Sequence, residues 1–146
     1  MNDSKAKIPL TLAFSLALSI SSATAQTFPS FYQITVTSNQ DTVQPDDRIT
    51  LREAIEITNG TLNYSQLSKL EKAQIKPNSS HSIQFNLPAN QTVIVLGRSL
   101  PDVIKPVTID GTTQSGYDAK TRLFKQNETV RKPIVEITPA PNIITV

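Results

Sequence analysis

ITLREAIEITNG, residues 49–60, is the stretch on which the reading of this fold turns. Thr50 and Glu53 stand three apart, the spacing of a capping box. In that arrangement the threonine hydroxyl accepts from the amide of residue 53, and the glutamate carboxylate reaches back to the amide of residue 50. Ile49 and Ala54 occupy the staple positions on either side of the cap. Leu51, Ala54, Ile55 and Thr58 recur at helical spacing and line one face. Asn59-Gly60 then supplies a pair that tolerates left-handed backbone, so the helix is expected to stop there.

Outward from this helix the pattern changes to strands. YQITVT puts Tyr32, Ile34 and Val36 on one face and Gln33, Thr35 and Thr37 on the other. SIQFNL alternates in the same way, with Ile83, Phe85 and Leu87 against Gln84 and Asn86. Such period-two alternation marks half-buried strands. TVIVL (92–96) is apolar on both faces, which predicts a strand covered on both sides. PVTIDG starts at Pro106 and ends in the Asp110-Gly111 turn signal, and PIVEIT (133–138) is framed by Pro133 and Pro139. NIITV (142–146) reads as one more strand. A second helix is expected over 65–75, with Leu67, Leu70 and Ile75 sharing a face and Lys69, Lys72 and Lys76 on a solvated one. Residues 111–132 read as a surface excursion with a little structure around Leu123-Phe124.

The chain has 146 residues, enough for one domain. Lys5 and Lys7 precede the mostly apolar run Ile8–Ile20, and Ala23 and Ala25 stand at small-residue cleavage positions. That order is a secretory signal peptide over 1–25, cut after Ala25, and it predicts a secreted or cell-surface protein. The run is too short, and too interrupted by Pro9, Thr11, Ser15 and Ser19, to span a bilayer. No cysteine follows it, which excludes a lipid-anchored lipoprotein. Removing Lys5, Lys7 and Asp3 from the 14 basic and 12 acidic residues leaves a net charge near +1. Such a balance gives no field to recruit nucleic acid or anionic lipid. An exported chain without cysteines must draw its stability from a continuous apolar core or from stacked repeats.

Phe85, Ile109 and Ile137 are central to three strands about 24 to 28 residues apart, inside the period range of solenoids. A solenoid's first coil exposes an open sheet end that must be covered. The helix at 49–60 is then expected to be the lid. ITLREAIEITNG also resembles the Leu-Arg-Glu-Ala motif near the N-terminus of exported bacterial right-handed parallel β-helix proteins. In the fuller motif a Cys and a Ser come first, where this chain has Ile49 and Thr50. ITVTSNQD is similar to that family's opening strand, and VTIDGTTQSGY (107–117) to a recurring stretch in which a strand ends in Asp-Gly and a Thr-Thr-Gln turn follows. The matches lie within residues 33–117. The resemblance implies a mainly β protein, a right-handed parallel β-helix represented by its N-terminal cap (26–81) and first coils (82–146). Members of that family generally continue through many further coils, so the resemblance implies a fragment whose partner is the rest of its own chain.

The resemblance leaves activity open, because proteins of many roles share the motif. β-Helix enzymes that cut polysaccharides cluster acidic and basic side chains on an outer strand face. The acidic candidates here are Asp41, Asp46, Asp47, Asp102, Asp110, Asp118 and Glu136. Asp46-Asp47 precede the helix, where negative charge suits its dipole. Asp110 fits its turn, and Glu136 reads as outward. Asn39, Asp41, Asp46 and Asp47 bring together oxygen ligands of the kind calcium takes, though not at EF-hand spacing. His81 is the only histidine, expected in a solvated loop, with no cysteine or second histidine to complete a zinc set. Glu53 is expected to cap its own helix, and Arg52 to donate to open carbonyls. Asn59, Asn63, Asn78, Asn90 and Asn127 begin glycosylation triplets. From these residues no catalytic, cofactor-binding or metal site is assigned. The expected role is a non-catalytic secreted scaffold for adhesion or glycan contact. The alternatives are the N-terminal part of a polysaccharide lyase or glycoside hydrolase, or a small β-sandwich binding module. The sandwich lacks the Asn-Gly or Asp-Gly hairpins it would use between closely spaced strands.

Overall fold

Thr50 opens the first helix as expected. It is extended (φ −83°, ψ 164°), its hydroxyl accepts from the Glu53 amide, and Glu53 answers to the Thr50 amide at 2.8 Å. Helix α1 runs Leu51–Asn59 and ends at Gly60, whose φ of 83° is the left-handed cap and whose N–H donates to Glu56 and Ile57 carbonyls. The computed structural model describes residues 30–117, 122–125, 128–131 and 133–141. The signal peptide over 1–25, Asp118, Asn127 and the strand expected at 142–146 lie outside them.

Strand β1 (Tyr32–Val36) is central to a four-stranded sheet ordered β2-β1-β3-β5, with β2 at Ile75–Pro77, β3 at Ser82–Phe85 and β5 at Thr108–Asp110. β1 pairs parallel with β3, and β3 parallel with β5, but β2 runs antiparallel to β1. Strand β4 (Val93–Leu96) pairs parallel with β8 (Glu136–Pro139) in a separate two-stranded sheet. β6 (Arg122–Lys125) and β7 (Glu128–Arg131) form an antiparallel pair within the expected surface excursion, at the place where a little structure was expected around Leu123-Phe124.

This is a small mixed α/β domain, and it overturns the right-handed parallel β-helix expected from the sequence. The register shows why the repeat misled. Phe85 lies against Val36 and Ile109 against Ile83, while Ile137 lies against Ile94 in the other sheet. The three expected repeat residues therefore never form one column. The column that does form is Ile34–Ile83–Ile109. Its first two members are 0% exposed and the third, on the edge strand, is 45% exposed. A spacing in sequence says nothing about which neighbour a strand chooses: β8 pairs with β4 in a separate sheet rather than joining β5, and β2 closes the outer edge of β1 in the antiparallel sense.

Without stacked coils, α1 is no lid. It is a core element, buried on nearly every side except at Glu56 and Asn59. Leu51, Ala54, Ile55 and Ile57 join Ile34, Val36, Ile49, Ile83, Phe85, Leu87 and Ile94 in one cluster. Each of these larger aliphatic side chains contributes on the order of 1.5–3 kcal/mol by leaving water.

Two further expectations are corrected. The helix expected at 65–75 is a 3₁₀ turn at Tyr64–Gln66 followed by a short α2, Lys69–Ala73. Ser68 and Glu71 form a second capping box that starts α2 afresh, and Ile75 is drawn into β2, leaving Leu70 exposed instead of sharing a buried face. In β4, Ile94 is fully buried while Val93 and Val95 face outward, so one side alone is covered.

Candidate functional site

Arg52 is the most completely engaged polar side chain around α1. Its Nε donates to Asp41 Oδ1 at 2.8 Å and its Nη2 to Asp41 Oδ2 at 2.9 Å, a two-pronged pair with both groups sheltered from solvent. Nη1 and Nη2 also donate to the carbonyls of Ser99 and Arg98, at 2.9 and 3.0 Å. Asp41 Oδ2 accepts in addition from the Gly97 amide at 2.8 Å. One guanidinium thus joins α1, the loop after β1 and the loop after β4. The planar fork of arginine suits such multiple acceptance. Donation to carbonyls is what the sequence reading expected of Arg52, and the carboxylate partner is what it missed. Asn59 closes the other end of the same helix, donating to the Asp102 carbonyl at 2.7 Å and accepting from the Ile104 amide at 3.1 Å.

The four oxygen-bearing residues considered for calcium are not brought together. Asn39 donates to the Val93 carbonyl, Asp41 belongs to Arg52, Asp46 accepts from the Arg48 amide, and Asp47 sits exposed beside Arg48. Among the described residues no three His, Cys, Asp or Glu side chains gather where a metal ion would sit. Asp110 caps the turn that follows it, accepting from the Thr112 amide and hydroxyl, and those bonds hold its carboxyl below the usual range. Asp102 and Glu136 are exposed.

The Thr-Thr-Gln turn has a role that residue type alone did not disclose. β5 ends at Asp110, and side chains then continue its ladder. Thr113 Oγ1 accepts from the Phe85 amide at 2.8 Å. Gln114 lies buried, accepting from the Leu87 amide at 2.8 Å and donating to the Leu87 carbonyl at 2.9 Å. A primary amide presents one donor and one acceptor side by side, so it mimics a strand backbone.

His81 is not in a solvated loop. It is 8% exposed and meets the rings of Tyr32 and Phe31 edge-on, at centroid distances of 4.6 and 5.2 Å. Its Nδ1 has no partner. Burial, and then the nearby Lys105 charge, depress its pKa below the ordinary histidine value.

Two buried carboxylates belong to the capping boxes of α1 and α2. Glu53 accepts from the Thr50 and Gln44 amides at 2.8 and 2.9 Å. Burial raises its pKa despite those bonds, and the charge of Glu71 raises it further. Glu71 is 0% exposed, and its Oε2 accepts from the Ser68 amide while its Oε1 is unpartnered. Sequence reasoning did not single out Glu71; the Ser68-x-x-Glu71 spacing was the available signal.

Two clefts flank this region. One, of about 420 Å³, is lined by Tyr32, Ile57, Leu62, Asn63, Tyr64 and Ser65 together with Gly60. The second, of about 180 Å³, lies against Glu71. The Tyr64 ring is half-buried, and Lys72 Nζ sits 5.1 Å from its centroid. No family model, curated protein or solved structure matches this chain. Among the described residues no helix is long and apolar enough to cross a membrane.

Proposed function

We propose that this chain is an exported, non-catalytic binding module that contacts glycan through the cleft at Tyr64. The observation that carries the reading is the composition of that cleft: two tyrosines and apolar walls beside Asn63 and Ser65. A sugar ring has an apolar C–H face and a rim of hydroxyls. An aromatic face with adjacent amide and hydroxyl groups complements both, following the usual division of a ligand site into apolar walls and a few orienting polar groups. The export part of the proposal is supported by the composition of residues 1–25.

The test is a binding screen of the chain lacking residues 1–25 against a panel of polysaccharides and oligosaccharides. Saturable binding that is lost in Tyr64→Ala and kept in Tyr64→Phe, with unchanged thermal midpoints, is the expected result. Binding nowhere on the panel, or binding indifferent to Tyr64→Ala, refutes the proposal. Release of reducing or unsaturated sugar ends would move the assignment to the polysaccharide-cleaving alternative.

A further inference from the structure

Glu71 presents a problem that its own neighbours do not solve. It is fully buried, its Oε2 is occupied by the Ser68 amide, and its Oε1 has no hydrogen-bond partner. Buried polar atoms are nearly always satisfied, and a buried carboxylate calls for a counter-charge. Among the described residues neither Glu71 nor the neighbouring Glu53 forms an ion pair, since the pairs present are Arg52–Asp41 and Arg48–Asp47. Lys72, next in sequence, is turned to the Tyr64 ring. Two acidic groups close enough to repel one another therefore sit without a cation, and a cavity of about 180 Å³ opens beside Glu71.

The cavity walls say what kind of cation fits. Val43, Pro45, Leu62 and Leu67 are apolar, and Gln44 and Gln66 supply the other polar groups beside Glu71. We propose that this cavity receives a primary alkylammonium group, its charged head against the Glu71 carboxylate and its methylene stem along Val43, Pro45, Leu62 and Leu67. A divalent metal is the poorer fit. Calcium takes six to eight oxygens, whereas half of this lining is hydrocarbon. Guanidinium is also poorer, because its fork is best matched by both oxygens of a carboxylate and Ser68 already holds one. An ammonium is a compact point charge with three donors on an apolar stem, the shape of this space. The group can come from a lysine side chain of a partner protein or from a free aliphatic amine. Both present the same chemistry to Glu71.

The experiment uses isotope-labelled chain lacking residues 1–25 and follows amide resonances during titration with three probes. These are N-acetyl-lysine methylamide, 1,5-diaminopentane and the uncharged N-acetyl-norleucine methylamide. The expected result is a saturable 1:1 shift with one or both amines, centred on residues 43–45, 62 and 66–71, and none with the norleucine compound. Binding of the lysine compound alone assigns a protein lysine as the source, and binding of the diamine alone assigns a free amine. Glu71→Gln keeps the side chain's size and should weaken amine binding at least about tenfold, the value of one lost charge-assisted contact of ~1.4 kcal/mol or more. Should that variant fail to fold, Leu62→Trp, which fills a half-buried wall position, should abolish the same shifts. The proposal is overturned if neither amine produces saturable shifts, if the norleucine compound binds equally, or if binding survives in the variant that folds. None of these readouts involves glycan, so its failure and that of the Tyr64 cleft are separable.

Discussion

Replacing Arg52 by methionine tests the central joint of the molecule. The substitution keeps most of the apolar stem and removes four hydrogen bonds: two to Asp41 and one each to the Arg98 and Ser99 carbonyls. Asp41 would be left sheltered, with the Gly97 amide as its one remaining charge-stabilising donor among the described residues. Breaking a buried pair from one side costs about 3–5 kcal/mol, because the surviving charge has no partner. The two carbonyls lie nearer to solvent, on exposed residues, and water can replace the guanidinium there. The cost should therefore stay near that range, against a total stability of about 5–15 kcal/mol for a natural domain. Urea denaturation followed by circular dichroism reads this as a lower midpoint at unchanged slope. The companion variant is Arg52→Met with Asp41→Leu, which removes both charges and should recover a measurable part of the loss. If Arg52→Met costs less than about 1 kcal/mol, the pair behaves as an ordinary surface salt bridge and the argument for a joint fails. If the double variant is worse than the single by the full cost of Asp41→Leu, the two residues are uncoupled.

Gln114→Ala should cost about 2–4 kcal/mol, since it strips partners from both the amide and the carbonyl of buried Leu87; thermal melts check this, and Gln114→Glu should not rescue, because a carboxylate has no N–H to return. His81 should make stability fall as pH drops below about 6.5. Its folded pKa is depressed, so in the window below the ordinary value the unfolded chain holds more protons, and stability is full above that window and lost on acidification through it. Comparing urea midpoints at several pH values for the native chain and His81→Phe should show the slope in that window flattened in the variant. An identical slope in both chains would assign it to other groups.

Local chemistry was legible wherever a few adjacent residues decide it. The Thr50–Glu53 box and the Gly60 cap could be read from spacing, because each closes hydrogen bonds within one helical turn. The alternation in YQITVT and SIQFNL likewise placed Ile34, Val36, Ile83 and Phe85 inward, because a strand turns successive side chains to opposite faces. The second helix was misread for a local reason as well. Ser68 caps a new helix inside the stretch, and that local cap outweighs the Leu67–Leu70–Ile75 spacing. The partners of Arg52, Gln114, His81 and Glu71 had no such signal, apart from the capping spacing at Glu71.

What the order of amino acids determined by itself was the helix at 51–59 with its two ends, the inward faces of β1 and β3, and the turn at Asp110-Gly111. Each follows from forces acting over a few residues. Which strands became neighbours, the antiparallel pairing of β2 at the edge beside β1, the bond between Arg52 and Asp41, and the burial of His81 and Glu71 were decided only in three dimensions. Pairing is a competition among all exposed edges and apolar faces, and its winner depends on the total area and hydrogen bonding that the assembled domain can satisfy at once.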